Sequence, residues 1–267
     1  MSAVIKLSAP ESRAFWEIPV LFEDDHLLAL NKPAGMPVSP SPESPDQPDL
    51  ISMLHGGIEV GKPWAVQRGL TYLMVSHRLD TEISGVLLFA KSKTTLMALS
   101  DLFGTEAPVQ TYLALARGEP STEQFTVDAK LASHPVNPEL VRVDFEGGKK
   151  SKTDFSVLEK FPRGGCVSLR CRPLTQRRHQ IRVHLRHAGF PLVGDALYGG
   201  KPLWLSRLKS DYRLKEGREE RPLLARVALH LESLEMSHPV TSAPLAVSAP
   251  WPKDLQVAVK YLRQFGV

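Results

Sequence analysis

Apolar residues in this chain come in runs of strand length, each closed by a polar or Gly/Pro turn. "TYLMV" and "GVLLFAKS" are nearly continuous, the pattern of strands covered on both faces. "IPVLFEDDHLLAL" gives two further runs split by Glu23, Asp24 and Asp25, and "VQTYLALARG" another. "SKTDFSVLEKF" and "CVSLRCRPL" alternate like a hairpin pair, and "RVALHLESLEM" returns to strand. Helical spacing is rarer. "LISMLHGGI" reads as a short helix stopped by Gly56-Gly57. Ser92 is placed to cap a helix carrying Leu96, Leu99 and Phe103 to Gly104. "RHQIRVHLRHAG" ends at Gly189 with Ile181, Leu185 and Ala188 on one face, and "PKDLQVAVKYLRQF" closes the chain. Strands outnumber helices and run in hairpin order. The expected class is α+β, a mixed, mostly antiparallel sheet with flanking helices.

With 267 residues, one large domain or one domain with lobes is expected, over 19–267 after a loosely packed leader at 1–18. "SPSPESPDQPDL" reads as a surface loop, and the charged stretch 207–222 as a surface insertion. Apolar residues make up 42% and charged residues 23%, as in ordinary globular proteins. A formal charge of +4 suits a polyanionic partner without proving one. No run approaches a membrane span, and the N-terminus lacks the signal-peptide pattern, so a cytoplasmic protein is expected. Cys166 and Cys171 are an odd spacing apart on an alternating segment, which points them to opposite faces and argues against a disulfide or a metal knuckle.

Two polar clusters could carry chemistry. "HRLDTE", His77 to Glu82, interrupts two apolar runs. It reads either as a surface turn or as a loop over a cleft that holds Asp80 near an arginine. An ionised, positioned aspartate can act as nucleophile, base or charge stabiliser. In "QRRHQIRVHLRH", Arg178, Arg182 and Arg186 recur every four residues. That stripe is either a solvated basic face or a phosphate-tracking surface with some arginines turned inward. His179, His184 and His187 lack the HExxH pattern and a carboxylate at ligand spacing, so no metal is expected. No dinucleotide fingerprint, P-loop or GxSxG elbow is present. Tyr112, inside a strand, is either a core tyrosine or a ring that faces a ligand base.

Taken together these segments resemble the RluA-type pseudouridine synthases, which isomerise uridine to pseudouridine in RNA. The resemblance is carried by "FEDDHLLALNKPAGMPV", "HRLDTEISGVLLFAKS", "QTYLALARG", "LTQRRHQIRVHLRHAGFPLVGDALYGG" and "RVALHLESLEMSHPVTSAPLAVSAPWPKDL", in that order, over about residues 19–258. It implies the pseudouridine synthase fold, with a catalytic cleft across the middle of the sheet. Asp80 would be the catalytic aspartate, Tyr112 would pack against the uracil, and Arg182 would pair with Asp80. Arg78 would enter the RNA stack where the flipped uridine leaves. His77, Arg177, Arg178, His179 and Gln180 would contact the substrate. The family needs no cofactor and no metal. Its partner is RNA, ribosomal or transfer, with no membrane or protein partner implied and a monomer expected. The chain departs from the family's usual residues at Ile83, Gln110, Gln176 and Arg178. The small N-terminal RNA-binding domain of some members is expected to be missing.

The reaction breaks the bond from ribose to nitrogen 1 of uracil, turns the base and rejoins it through carbon 5. No atom is gained or lost. The nucleotide has to leave the stack, which costs a few kcal/mol. Two other classes compete: an RNA-binding or RNA-folding protein with little turnover, and a metal-dependent hydrolase using the histidines of the basic helix.

Overall fold

The computed structural model describes residues 3–9, 13–40, 46–105, 107–214 and 217–267. In chain order its elements are β1 (Val4–Ala9), β2 (Ala14–Glu23), β3 (Leu27–Lys32), α1 (Leu50–Glu59), α2 (Pro63–Val66), β4 (Met74–Val75), β5 (Ser84–Ala90) and α3 (Lys93–Gly104). There follow β6 (Val109–Arg117), β7 (Gln124–Asp128), β8 (Leu131–Ser133), β9 (Val141–Val143), β10 (Lys152–Phe161), β11 (Cys166–Pro173) and α4 (Gln180–His187). The last are α5 (Leu205–Leu208), β12 (Leu229–Ser237), β13 (Pro244–Ser248) and α6 (Lys253–Phe265). The chain forms two compact units, one of residues 1–110 with 231–250, the other of 111–230 with 251–267. Each is a layer of mostly antiparallel strands with helices against it, so the class is α+β.

In the first unit the strand order is β1-β2-β3-β5-β12, with β4 beside β5 and β13 beside β12. Every residue of β5 is buried, as a continuously apolar run demands. Gly85, the second residue of that strand, has φ +128°, and a Cβ there would stand 2.2 Å from the Leu231 carbonyl oxygen. Only glycine lets β12 come so close. The hairpin turns are clasped together. Asp24 Oδ1 accepts the His26 and Leu27 amides at 2.8 and 2.7 Å, and Asp24 Oδ2 lies 3.0 Å from His238 Nε2.

Two expectations fail here. The presumed loose leader pairs β1 with β2, and Ile5, Leu7 and Ile18 are buried. Alternation supplies the reason, since one face of each strand is apolar. Residues 1–2 and 10–12 lie outside the described residues. The helix expected to stop at Gly56-Gly57 runs on to Glu59. A Cβ on Gly57 would fall 2.3 Å from Trp64 Cζ2, so the glycine admits the indole and does not break the helix. In the surface loop, residues 41–45 lie outside the described residues. Ser92 does cap α3, accepting the Thr95 amide at 3.1 Å.

The second unit has the order β6-β11-β10-β7, with β8 and β9 as a separate pair. The β10–β11 hairpin places Cys166 and Cys171, both free thiols, opposite Phe161 and Phe155. Leu255, Ala258, Val259 and Leu262 of α6 pack on Leu115, Phe161 and Cys166. Among the described residues, no helix is long and apolar enough to cross a membrane.

Candidate active site

Asp80 sits in the loop that carries the chain from β4 to β5. Burial alternates along that loop: His77 and Leu79 point inward, Arg78 is exposed, and Asp80 is half-buried. Two braces hold it. On one side, β4 ends at Val75 and the backbone peels away from β5. The His77 ring replaces the missing ladder partner, its Nε2 accepting the Leu88 amide at 3.0 Å. The same ring stacks on Phe103 at 4.9 Å between centroids. An accepting Nε2 must be unprotonated, and burial pushes the His77 imidazole down to about 4. His77 is therefore a buried anchor of the loop. Its acceptor nitrogen serves the Leu88 amide, its face serves Phe103, and 6% of the residue is exposed.

On the other side, the Thr81 carbonyl accepts the Gly35 amide at 2.8 Å and the Lys32 ammonium at 3.1 Å. Lys32 is wholly buried at the end of β3, and its ammonium also donates to the Met36 and Pro33 carbonyls at 2.7 and 2.9 Å. The "NKPAGMP" turn thus wraps around a cation and ties itself to the residue after Asp80. An Ile83 amide to Asp80 carbonyl bond of 3.1 Å closes the turn. Sequence reasoning missed Lys32. Its signal was a lysine two residues after the apolar run Leu27–Leu30.

Tyr112 and the basic segment belong to the second unit. Tyr112 lies in β6 with 8% exposed, opposite Cys171 of β11. Arg182 is on α4 and 2% exposed. Asp195 receives its fork on both oxygens, Nε to Oδ2 at 2.8 Å and Nη2 to Oδ1 at 2.7 Å. The guanidinium carbon lies 5.2 Å from the centre of the Tyr198 ring. Both charges of this pair are buried, so the two-point geometry is what makes it tolerable.

Asp195 escaped the sequence reading, although "GFPLVGDALYGG" carried the signal: an inward arginine needs an acid, and the glycines announce a tight turn. A Cβ on Gly194, at φ +74°, would fall 2.0 Å from the Arg226 carbonyl oxygen, and one on Gly200 would fall 1.8 Å from that of Leu192. The turn is therefore packed too closely for any other residue, and it presents Asp195 to α4.

Tyr198 links this turn to the start of the helix. Its hydroxyl oxygen accepts the Val141 amide at 3.0 Å and lies 2.8 Å from His179 Nδ1. The Tyr198 hydroxyl thus joins β9 to the residue that precedes α4. His179 is half-buried at φ +55° in the N-cap position of α4. Gln180 is a buried pin. It donates to the Lys152 carbonyl and Thr153 hydroxyl, each at 3.0 Å, and accepts from Thr175 at 2.8 Å. Both ends of its amide hold β10 and the loop before α4.

Nor do Arg178, Arg182 and Arg186 form one solvated stripe. The helix begins at Gln180, so Arg178 precedes it and bonds the Pro138 carbonyl at 2.7 Å. Arg186 is exposed, while Arg182 is buried. Arg177 is half-buried and donates to the Gln176 carbonyl at 2.9 Å.

His184 is buried with Nδ1 2.9 Å from the Thr153 hydroxyl and Nε2 3.1 Å from the Ala129 carbonyl. Burial lowers its pKa. With both nitrogens engaged, it is a neutral structural residue. Among the described residues, no group of three or more His, Cys, Asp or Glu side chains could hold a metal ion.

Residues 26–187 match the family described as RNA pseudouridylate synthase. That segment contains the braced Asp80 loop, Tyr112 and α4. The chain belongs to this family. Comparison over most of the chain agrees. Ribosomal large subunit pseudouridine synthase C of Vibrio vulnificus is 34% identical over 91% of this chain and 69% of the relative. Synthase D of Xanthomonas campestris is 36% identical over 92% of this chain and 69% of the relative. The fold is likewise that of pseudouridylate synthases. The solved structure of human RNA pseudouridylate synthase domain containing 1 superposes with a TM-score of 0.66 at 23% identity, covering 92% of this chain and 94% of the other. As an RNA pseudouridine synthase, the chain is an isomerase whose substrate is RNA.

Proposed function

We propose that the chain converts a uridine of large-subunit ribosomal RNA to pseudouridine, with Asp80 as the acting carboxylate. The observation that carries this is the mounting of Asp80: a half-buried carboxylate beside the exposed Arg78, on a loop clamped at His77 and at Thr81. Such bracing is what a group that must meet one atom of a flipped nucleotide requires. Arg78 fills the space the uridine leaves, Tyr112 packs against the uracil, and Arg182, whose fork Asp195 fixes, acts as the catalytic arginine. Arg177, Arg178 and His179 bind the RNA backbone. The reaction needs no cofactor, and the enzyme acts as a monomer in the cytoplasm. The ribosomal target follows the names of the relatives in Vibrio vulnificus and Xanthomonas campestris.

The test is release of tritium from RNA labelled at carbon 5 of uridine. Large-subunit ribosomal RNA and bulk transfer RNA are assayed side by side, with Asp80→Asn as control. Release from the ribosomal RNA by wild type, and none by the variant, is expected. Release confined to transfer RNA overturns the target. Release undiminished in Asp80→Asn overturns the role of Asp80 and favours another carboxylate.

A further inference from the structure

The second unit carries an open groove of about 810 Å³ that none of the residues discussed above explains. Its lining includes Arg117, Gly199, Lys201, Trp204, Arg207 and Glu220. Lys201 and Arg207 are exposed, and Trp204 is half-buried, leaving part of the indole open. Arg117 is held in place by the Pro202 carbonyl at 3.0 Å, the Gly164 carbonyl at 3.3 Å and Cys166 Sγ at 3.4 Å. All three of those partners are neutral, so its charge is positioned without being cancelled. Against three cations stands one lining carboxylate among the described residues, Glu220, whose Oε1 accepts the Ser206 amide at 2.9 Å. Open aromatic surface flanked by fixed and mobile cations is the combination that binds single-stranded nucleic acid: bases stack on the ring and phosphates meet the charges.

The groove is also joined to the Arg182–Asp195 pair. Gly199 belongs to the same turn that presents Asp195 to Arg182. We infer that this groove is a second RNA-binding site, in which Trp204 stacks on an unpaired base flanking the target while Lys201, Arg207 and Arg117 hold the adjoining phosphates. The inference rests on RNA being the substrate. It assigns a use to part of the charged stretch after Leu205, which sequence alone left as a solvated insertion. Residues 215–216 of that stretch lie outside the described residues.

Binding of a short fluorescein-labelled oligouridylate to the full chain tests the groove without requiring turnover. Trp204→Ala is expected to weaken binding about 5- to 150-fold, the range for loss of one stacked base. Lys201→Ala with Arg207→Ala should flatten the logarithmic salt dependence by about 1.4, from two lost phosphate contacts on a single strand. Glu220→Gln keeps the acceptor for the Ser206 amide and removes the opposing charge, so it should tighten binding, a gain that misfolding does not produce. Oligouridylate binding with unchanged affinity and salt slope in all three variants overturns the inference. So does uridine monophosphate displacing the oligonucleotide from the wild type at comparable concentration, because the groove would then hold a free nucleotide. Tritium release by the wild type is measured separately. If it is seen while the groove variants bind normally, the groove fails and the catalytic reading stands.

Discussion

Replacing His77 by phenylalanine separates the two duties of that ring. Phenylalanine keeps the stack on Phe103 and removes the acceptor for the Leu88 amide. At neutral pH the buried amide then lacks its partner, a loss of about 1–3 kcal/mol. Acid should narrow the difference. The folded pKa of His77, about 4, lies below the ordinary imidazole value of 6.5. Its contribution is therefore complete above 6.5 and declines as pH falls toward 4, because the unfolded chain takes the proton first. At pH 5 the unfolded imidazole gains about 2 kcal/mol from protonation while the folded one gains almost nothing. Urea unfolding of both proteins at pH 7.5 and pH 5, compared by linear extrapolation, measures the effect. The stability gap between wild type and His77→Phe should close by about 2 kcal/mol between those pH values. His184, also buried and lowered, titrates in both proteins and cancels. A gap that stays constant refutes the argument: His77 would then not be a buried, neutral acceptor.

Asp195→Asn removes the charge from the carboxylate that holds the buried Arg182 at two points, and a loss of about 3–5 kcal/mol is expected in the same assay. Tritium release should fall with it even at temperatures where the variant stays folded. Gly85→Ala forces a Cβ against the Leu231 carbonyl at a φ that suits only glycine, so the variant should accumulate as insoluble protein, while Gly104→Ala, where the space is open, should not. Burial raises the pKa of both Cys166 and Cys171. Neither thiol should react with a disulfide reagent at neutral pH until denaturant is added, and rapid labelling of the native protein would contradict the packing.

What the sequence determined by itself is local or repetitive. The unbroken apolar run of β5, the alternation of β10 and β11, the Ser92 cap and the face of α6 are set by short-range periodicity and by hydrogen bonds a few residues apart. The order of motifs around Asp80, Tyr112 and Arg182 likewise needs only the linear chain. The alternation of Ile5 and Leu7 in β1 is of the same local kind. Tertiary structure decided the rest. Whether a glycine breaks a helix depends on what packs there, and at Gly57 it is Trp64. Whether a histidine meets substrate or backbone depends on where a ladder ends, and β4 ends one residue too soon for Leu88. Arg182 reads as one of three equal arginines until the turn after Gly194 brings Asp195 to it from outside the helix. A buried charge or polar group is defined by its partner, and such partners come from elsewhere in the chain.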